Sequence, residues 1–159
     1  LISDVIAYFE GDVKRVTHAL KVYTFAGNIA KLENLSQDKL DIVEIAAILH
    51  DIGIKESERK YNSSAAKYQE QEGPPIARKF LQKYNVENKI VERVCFLIGN
   101  HHTYSKIDEL DFQILIEADF IVNIFNDHLK PTQIKTIREN YFKTKTGESY
   151  IDTMYLKNI

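Results

Sequence analysis

Apolar residues recur along this chain at three- and four-residue intervals, the spacing of helices that bury one side. Val13, Val16 and Leu20 form one row, and His18, Val22, Phe25 and Ile29 a second, so a helix with a broad apolar face is predicted from about Asp12 to Leu32. Ser36 suits an N-cap, and beyond it Leu40, Val43, Ala46, Ala47 and His50 share one side, with Gly53 as the expected stop. Between Ile54 and Glu72 the pattern fades into "KESERKYNSSAAKYQEQE", which reads as a mobile or short-helical connection across the mouth of a site. Pro74 and Pro75 predict the first turn of a helix continuing through "IARKFLQKY". Further helices are predicted at about Glu87 to His101, Phe112 to Asn126 and Thr132 to Lys143, with a short one near Ser149 to Leu156. Strand alternation is almost absent, so the expectation is an all-α bundle of about six to eight helices. It forms one domain over residues 1–159, with a core at about 12–126 and C-terminal helices at about 131–157.

Composition agrees with a helical globular chain: 44% of residues are hydrophobic and 28% charged, with 6 glycines and 3 prolines. A net charge of -2 gives no general attraction to nucleic acid or to an anionic membrane surface. The single cysteine, Cys95, sits in the apolar run "VERVCFLIG" and reads as a small core residue in a reducing compartment. No apolar run approaches the roughly 18 residues of a membrane span, and no basic-then-apolar leader opens the sequence. The expectation is a soluble cytoplasmic chain.

Against this background a few ionisable residues fall where apolar ones belong. His18 lies in line with Val22, Phe25 and Ile29, and His50 is four residues beyond Ala46, so both imidazoles face inward. Asp119 interrupts "FQILIEADFIVNIF", a segment apolar nearly all round, and a buried carboxylate without a partner costs several kcal/mol. Asp51 stands where a helix ends, the wrong charge for the negative end of the dipole unless a cation lies beside it. Each has an ordinary reading taken singly: a satisfied core histidine, an acid paired with arginine, a helix-terminal aspartate. Together, two imidazoles and two carboxylates on three inward faces form an N/O ligand set suited to a divalent cation.

The order His18, then His50-Asp51 in "LHDIG", then Asp119 in "EADFIV" on an all-helical chain resembles the HD superfamily of metal-dependent phosphohydrolases. The resemblance spans roughly Asp12 to Asn126, and "RVTHALKV" is similar to the family's setting for the first histidine. It implies that His18, His50, Asp51 and Asp119 bind one divalent metal (Mn, Fe, Ni, Co, Zn or Mg), with Asp51 able to bridge to a second. The second site would draw on Glu72, His101 and His102, the last two in "GNHHTY". Glu72 departs from the histidine that two-metal members often place before such a helix, and the His pair could instead be a polar helix terminus. His128 in "NDHLKP" reads as a surface residue in a turn.

The resemblance further implies hydrolysis by a metal-activated water, with Asp51 orienting it. Arg15, one turn before His18, would contact substrate phosphate or else form a surface ion pair. Lys55 would offset developing negative charge or else belong to the solvated run "KESERK". Cyclic-dinucleotide phosphodiesterases of the superfamily carry Gly-Tyr-Pro after paired histidines, where this chain reads "HHTYSKIDEL". The expected substrate is therefore a small phosphorylated metabolite or nucleotide, a phosphomonoester first. Two alternatives stay open: a two-iron oxygenase on the same fold, and a non-catalytic module that binds metal or nucleotide. No motif names a protein partner, and a homo-oligomer is left open.

Overall fold

In the computed structural model, which describes residues 1–157, the chain is all-helical among the described residues. The α-helices run in the order α1 (Ile2–Phe9), α2 (Val13–Leu32), α3 (Gln37–Leu49), α4 (Ile54–Tyr61), α5 (Ala66–Gln82), α6 (Asn88–Ile98), α7 (Leu110–Asn126), α8 (Pro131–Tyr141) and α9 (Lys145–Ile151). A 3-10 turn covers Tyr104–Lys106, and the chain beyond α9 widens into a π turn at Asp152–Leu156.

The centre is made by α2, α3 and α7, which pack on one another, with α6 against α3, α5 over α6 and α4, and α8 and α9 against α7. The α7 segment is sheathed as its sequence predicts: Phe112, Ile114, Leu115, Ile116, Ala118, Ile121, Val122 and Ile124 are all buried. On α2 the buried residues are His18, Ala19, Val22, Ala26, Gly27, Ile29 and Ala30, and the small ones, Ala19, Ala26, Gly27 and Ala30, let neighbouring helices come close. Val13, expected on the apolar face, is 70% exposed, while Val16 and Leu20 of the same row are half-buried against the core.

Four features differ from the sequence expectation. The helix α1 was not predicted; it is short, and Val5 and Phe9 are its buried contacts. The polar stretch after Ile54 takes the short-helical form in α4, which closes on a left-handed Asn62, but α5 begins at Ala66, two turns before the prolines. Pro74 and Pro75 thus lie inside α5, where their missing N–H groups release the carbonyls of Glu70 and Gln71. Gln69, Gly73, Ala77 and Leu81, spaced by four, form its buried row. Finally, Gly53 does not end α3 in a left-handed turn. Its φ is -74° and it precedes α4; glycine is required because a Cβ would lie 2.5 Å from Gln69 O and 2.7 Å from Gly73 N.

The C-terminal part is tied to α7 by Glu117, an acid the sequence reading passed over. Fully buried, it accepts hydrogen bonds from the backbone N–H groups of Lys143 and Thr144 at 2.6 and 2.9 Å and from Gln113 Nε2 at 2.7 Å. A second buried acid, Asp111, meets Arg93 Nη2 at 2.6 Å and Lys39 Nζ at 2.9 Å, joining α7 to α6 and α3.

Candidate metal centre

Three helices and one turn deliver the polar residues that meet inside the bundle. His18 comes from the second turn of α2, His50 and Asp51 from the end of α3, and Asp119 from the middle of α7. His18 Nε2 lies 3.1 Å from His50 Nε2, 3.2 Å from Asp119 Oδ1 and 3.5 Å from Asp51 Oδ2. His50 Nε2 lies 3.4 Å from Asp51 Oδ2 and 3.6 Å from Asp119 Oδ1. The four residues named from the sequence are therefore one cluster.

His101 and His102, in the turn that follows α6, join it from the other side. His101 Nε2 is 3.5 Å from Asp51 Oδ1, so the two oxygens of Asp51 face two groups of imidazoles. His18, His50 and Asp51 form one set with ligand atoms close enough to share an ion, and Asp51, His101 and His102 form another. The turn is held by Glu70 of α5, which accepts from His102 N and Thr103 Oγ1, both at 3.0 Å.

Local backbone orients two of the rings. His50 Nδ1 lies 2.8 Å from Ala47 O, and His101 Nδ1 lies 2.7 Å from Ile98 O. A carbonyl only accepts, so each ring keeps a proton on Nδ1 and turns Nε2 inward.

The donor set fits a divalent cation. Burial opposes a charge on His50, but the carboxylates of Asp51 and Asp119 outweigh it and raise the imidazole to about 9. Burial likewise opposes ionisation of both acids, and the neighbouring imidazoles, with His50 foremost for Asp51 and His18 for Asp119, pull them below the usual carboxylate range. The cluster thus draws positive charge to its centre, and a metal ion supplies it without a proton. His102, lowered to about 4 by burial and then by His101, keeps a free lone pair at neutral pH. The buried Nε2 atoms of His101 and His102 have no hydrogen-bond partner, nor does Gln69 Oε1. Unpaired buried donors and acceptors are costly, and metal ligation satisfies such imidazole nitrogens.

Beside the cluster a cleft of about 260 Å³ opens between α2, α5 and α7, with His18 and Asp51 in its wall together with Lys14, Arg15, Ser64, Gln69, Asn123 and Asn126. A larger hollow of about 600 Å³, lined by Ile2, Ile45, Ile48 and Ile90 with Asp41, Glu44 and Glu87, lies elsewhere and carries no imidazole.

The remaining candidates divide. Arg15 is in the cleft wall, its guanidinium held by Asp12 at 3.0 Å and Glu58 at 2.6 Å. Lys55 is turned away, donating to Tyr8 O at 2.7 Å. Glu72 is also outside the cluster: it accepts from Lys60 Nζ at 2.7 Å and Tyr61 Oη at 2.9 Å, and those partners hold it below its ordinary range against the opposing effect of burial. The α5 side chain directed to the cleft is Gln69, which the sequence reading missed; its place in the row with Gly73, Ala77 and Leu81 was the available signal. His128 is exposed in a turn, as expected, and Cys95 is buried.

An all-helical bundle whose inward histidines and aspartates meet beside a polar cleft defines a candidate metalloprotein. The HD domain model matches residues 15–144, and the chain belongs to that family. The fold is similar to the crystal structure of a predicted HD superfamily hydrolase from an uncultured Thermotogales bacterium, at TM-score 0.70 and 24% identity. That match covers 97% of this chain and 82% of the other. No functionally curated protein matches the chain. Among the described residues no helix is long and apolar enough to cross a membrane.

Proposed function

We propose that this chain is a metal-dependent hydrolase of small phosphorylated metabolites or nucleotides, with phosphomonoesters as the first class to test. The observation that carries the reading is the convergence of His18, His50, Asp51 and Asp119 on one buried point at the edge of a polar cleft. Membership of the HD family and the likeness in fold to a predicted HD superfamily hydrolase support it.

His18, His50, Asp51 and Asp119 would hold one divalent cation, and Asp51 with His101 and His102 a second, with Gln69 Oε1 as a further oxygen donor. A cation bound there supplies a Lewis acid that acidifies water and draws charge from a phosphoryl oxygen. Asp51, with one oxygen toward each set of imidazoles, would orient a water there and accept its hydrogen bond. Arg15, pre-positioned by Asp12 and Glu58, meets the phosphate from the cleft wall with a planar pair of donors. Ser64, in the cleft wall, offers a neutral hydrogen bond to the rest of the substrate. Lys55, committed to Tyr8, is left out of this account.

The second set, Asp51 with His101 and His102, favours one further reading, a two-iron oxygenase. One experiment separates the two: elemental analysis of the purified chain and of Asp51→Ala, followed by a phosphomonoester and nucleotide panel and an oxygen-consumption assay. Metal that is lost with Asp51 and accompanies phosphate release supports the hydrolase. About two irons per chain with oxygen uptake and no phosphate release supports the oxygenase. No specific metal in either protein, even after reloading, overturns both.

A further inference from the structure

The buried imidazoles differ in what holds their outer nitrogens. For His50 and His101 the partner is a backbone carbonyl, which fixes the proton on Nδ1. For His18 the partner is a side chain: its Nδ1 lies 3.3 Å from the amide nitrogen, Nδ2, of Asn126. A carboxamide donates through nitrogen and accepts through oxygen, and which end faces the ring is an assignment the hydrogen-bond network decides. The two ends have opposite consequences. With the amide nitrogen toward His18, Nδ1 must accept and the ring proton sits on Nε2, pointing at Asp119 Oδ1 3.2 Å away. With the amide oxygen toward His18, Nδ1 donates and Nε2 presents its lone pair to the point where Asp51 and Asp119 meet.

Asn126 also lies at the end of α7, seven residues after Asp119, with its side chain in the cleft wall. Four residues after Asp119 stands Asn123, whose Nδ2 donates to Asp119 Oδ1 at 2.9 Å. One face of α7 therefore supplies a carboxylate ligand, a carboxamide that steadies it, and a carboxamide that reaches the histidine of another helix.

We propose that Asn126 is a positioning residue of the metal centre: on metal binding its carboxamide turns from the orientation with Nδ2 toward the ring to one with Oδ1 toward it, accepts the Nδ1 proton of His18, fixes that tautomer and leaves Nε2 to ligate. The proposal rests on the metal-centre reading above and adds a residue that touches neither cation nor substrate phosphorus. Outer hydrogen-bond partners of ligating histidines typically change metal affinity by about 10- to 100-fold. His18 is the one ring of the three anchored in this way by a group that can take either orientation.

The test is Mn2+ binding by the wild type, Asn126→Leu, Asn126→Asp and, as control, Asp119→Asn, together with imidazole nitrogen spectra of the wild type before and after loading with Zn2+. Asn126→Leu is expected to bind Mn2+ about 10- to 100-fold more weakly, and Asn126→Asp, a pure acceptor, to recover wild-type affinity or exceed it. The loaded wild type is expected to show the His18 proton on Nδ1. Leucine at 126 binding as tightly as asparagine, or a loaded His18 with its proton on Nε2, overturns the proposal while leaving the metal centre intact, provided Asp119→Asn loses the ion. Wild type that binds no Mn2+ overturns the metal-centre reading and this proposal with it. Should Asn126→Leu fail to fold, the wild-type spectrum and the Asp variant decide the matter.

Discussion

Replacing Gly53 with alanine sets two effects of opposite sign against each other. The backbone there is ordinary helical, φ -74° and ψ -18°. Alanine at such a position normally adds about 0.4–1 kcal/mol by restricting the unfolded chain. A Cβ on Gly53, however, would stand 2.5 Å from Gln69 O, 2.7 Å from Gly73 N and 3.0 Å from Gly73 Cα, where 3.4 Å is the near limit of ordinary contact. All three atoms are backbone, so no rotamer change relieves them, and α5 must retreat by about 0.9 Å. Overpacking of this kind costs about 1–3 kcal/mol. The net expectation is a loss of about 1.3 kcal/mol, or about 3–5 °C in Tm for a chain of this size. The same retreat carries Gln69 and Glu70 outward, and with Glu70 the turn bearing His102, so Mn2+ affinity falls with stability. Thermal and urea unfolding of Gly53→Ala without metal, then a Mn2+ titration, measure both. An unchanged or higher Tm would refute the close-contact reasoning, because the unfolded-state effect alone predicts that sign.

Three further outcomes are expected. Mn2+ at about 100 times its Kd should stabilise the wild type by about 2.7 kcal/mol, about 5–11 °C in Tm, and Asp119→Asn should lose most of that increment when both are melted with and without the ion. Burial raises the Asp111 carboxyl, but Arg93 and Lys39 outweigh it and hold the group below its usual 3.8, so its contribution is complete above that value and lost as pH falls through the lower folded value. Arg93 keeps Asp108 and Lys39 keeps Glu109, so Asp111→Ala should cost about 1.5–3 kcal/mol at pH 7 and less in acid, read from urea unfolding at both pH values. Glu72→Gln should leave the metal count of the purified protein unchanged, whereas His101→Ala should lower it if a second ion binds; elemental analysis decides both.

Much of the centre was legible because burial and charge conflict there in the sequence itself. Asp119 stands out in α7 since most of the segment around it is apolar, and His50-Asp51 stands out because an acid ends a helix. Reading α5 failed for a different reason. The Pro74-Pro75 pair is a strong start signal, and placing the helix start there hid the row Gln69, Gly73, Ala77, Leu81, which needs a start at Ala66 to be seen. Glu72 is one residue from Gly73, about 100° around the helix, and so meets Lys60 and Tyr61 instead of the cleft. Gly53 carried the right residue and the wrong cause: composition shows a glycine after a helix, but the helix packed against it is a long-range fact. Glu117 was overlooked because its partners, the backbone of Lys143 and Thr144, are supplied by a distant turn.

His50 and His101 share a construction whose reach extends past this chain. Each follows a helix end and ties Nδ1 to the carbonyl three residues earlier, at Ala47 and Ile98, groups that the terminating helix leaves without an intrahelical partner. A four-residue piece of sequence thereby satisfies a stray carbonyl and aims a ligand atom along the helix exit in one stroke. Such a unit is portable: a terminal histidine grafted onto the last turn of an unrelated helix would arrive already oriented, and only the carboxylate facing it would have to be designed.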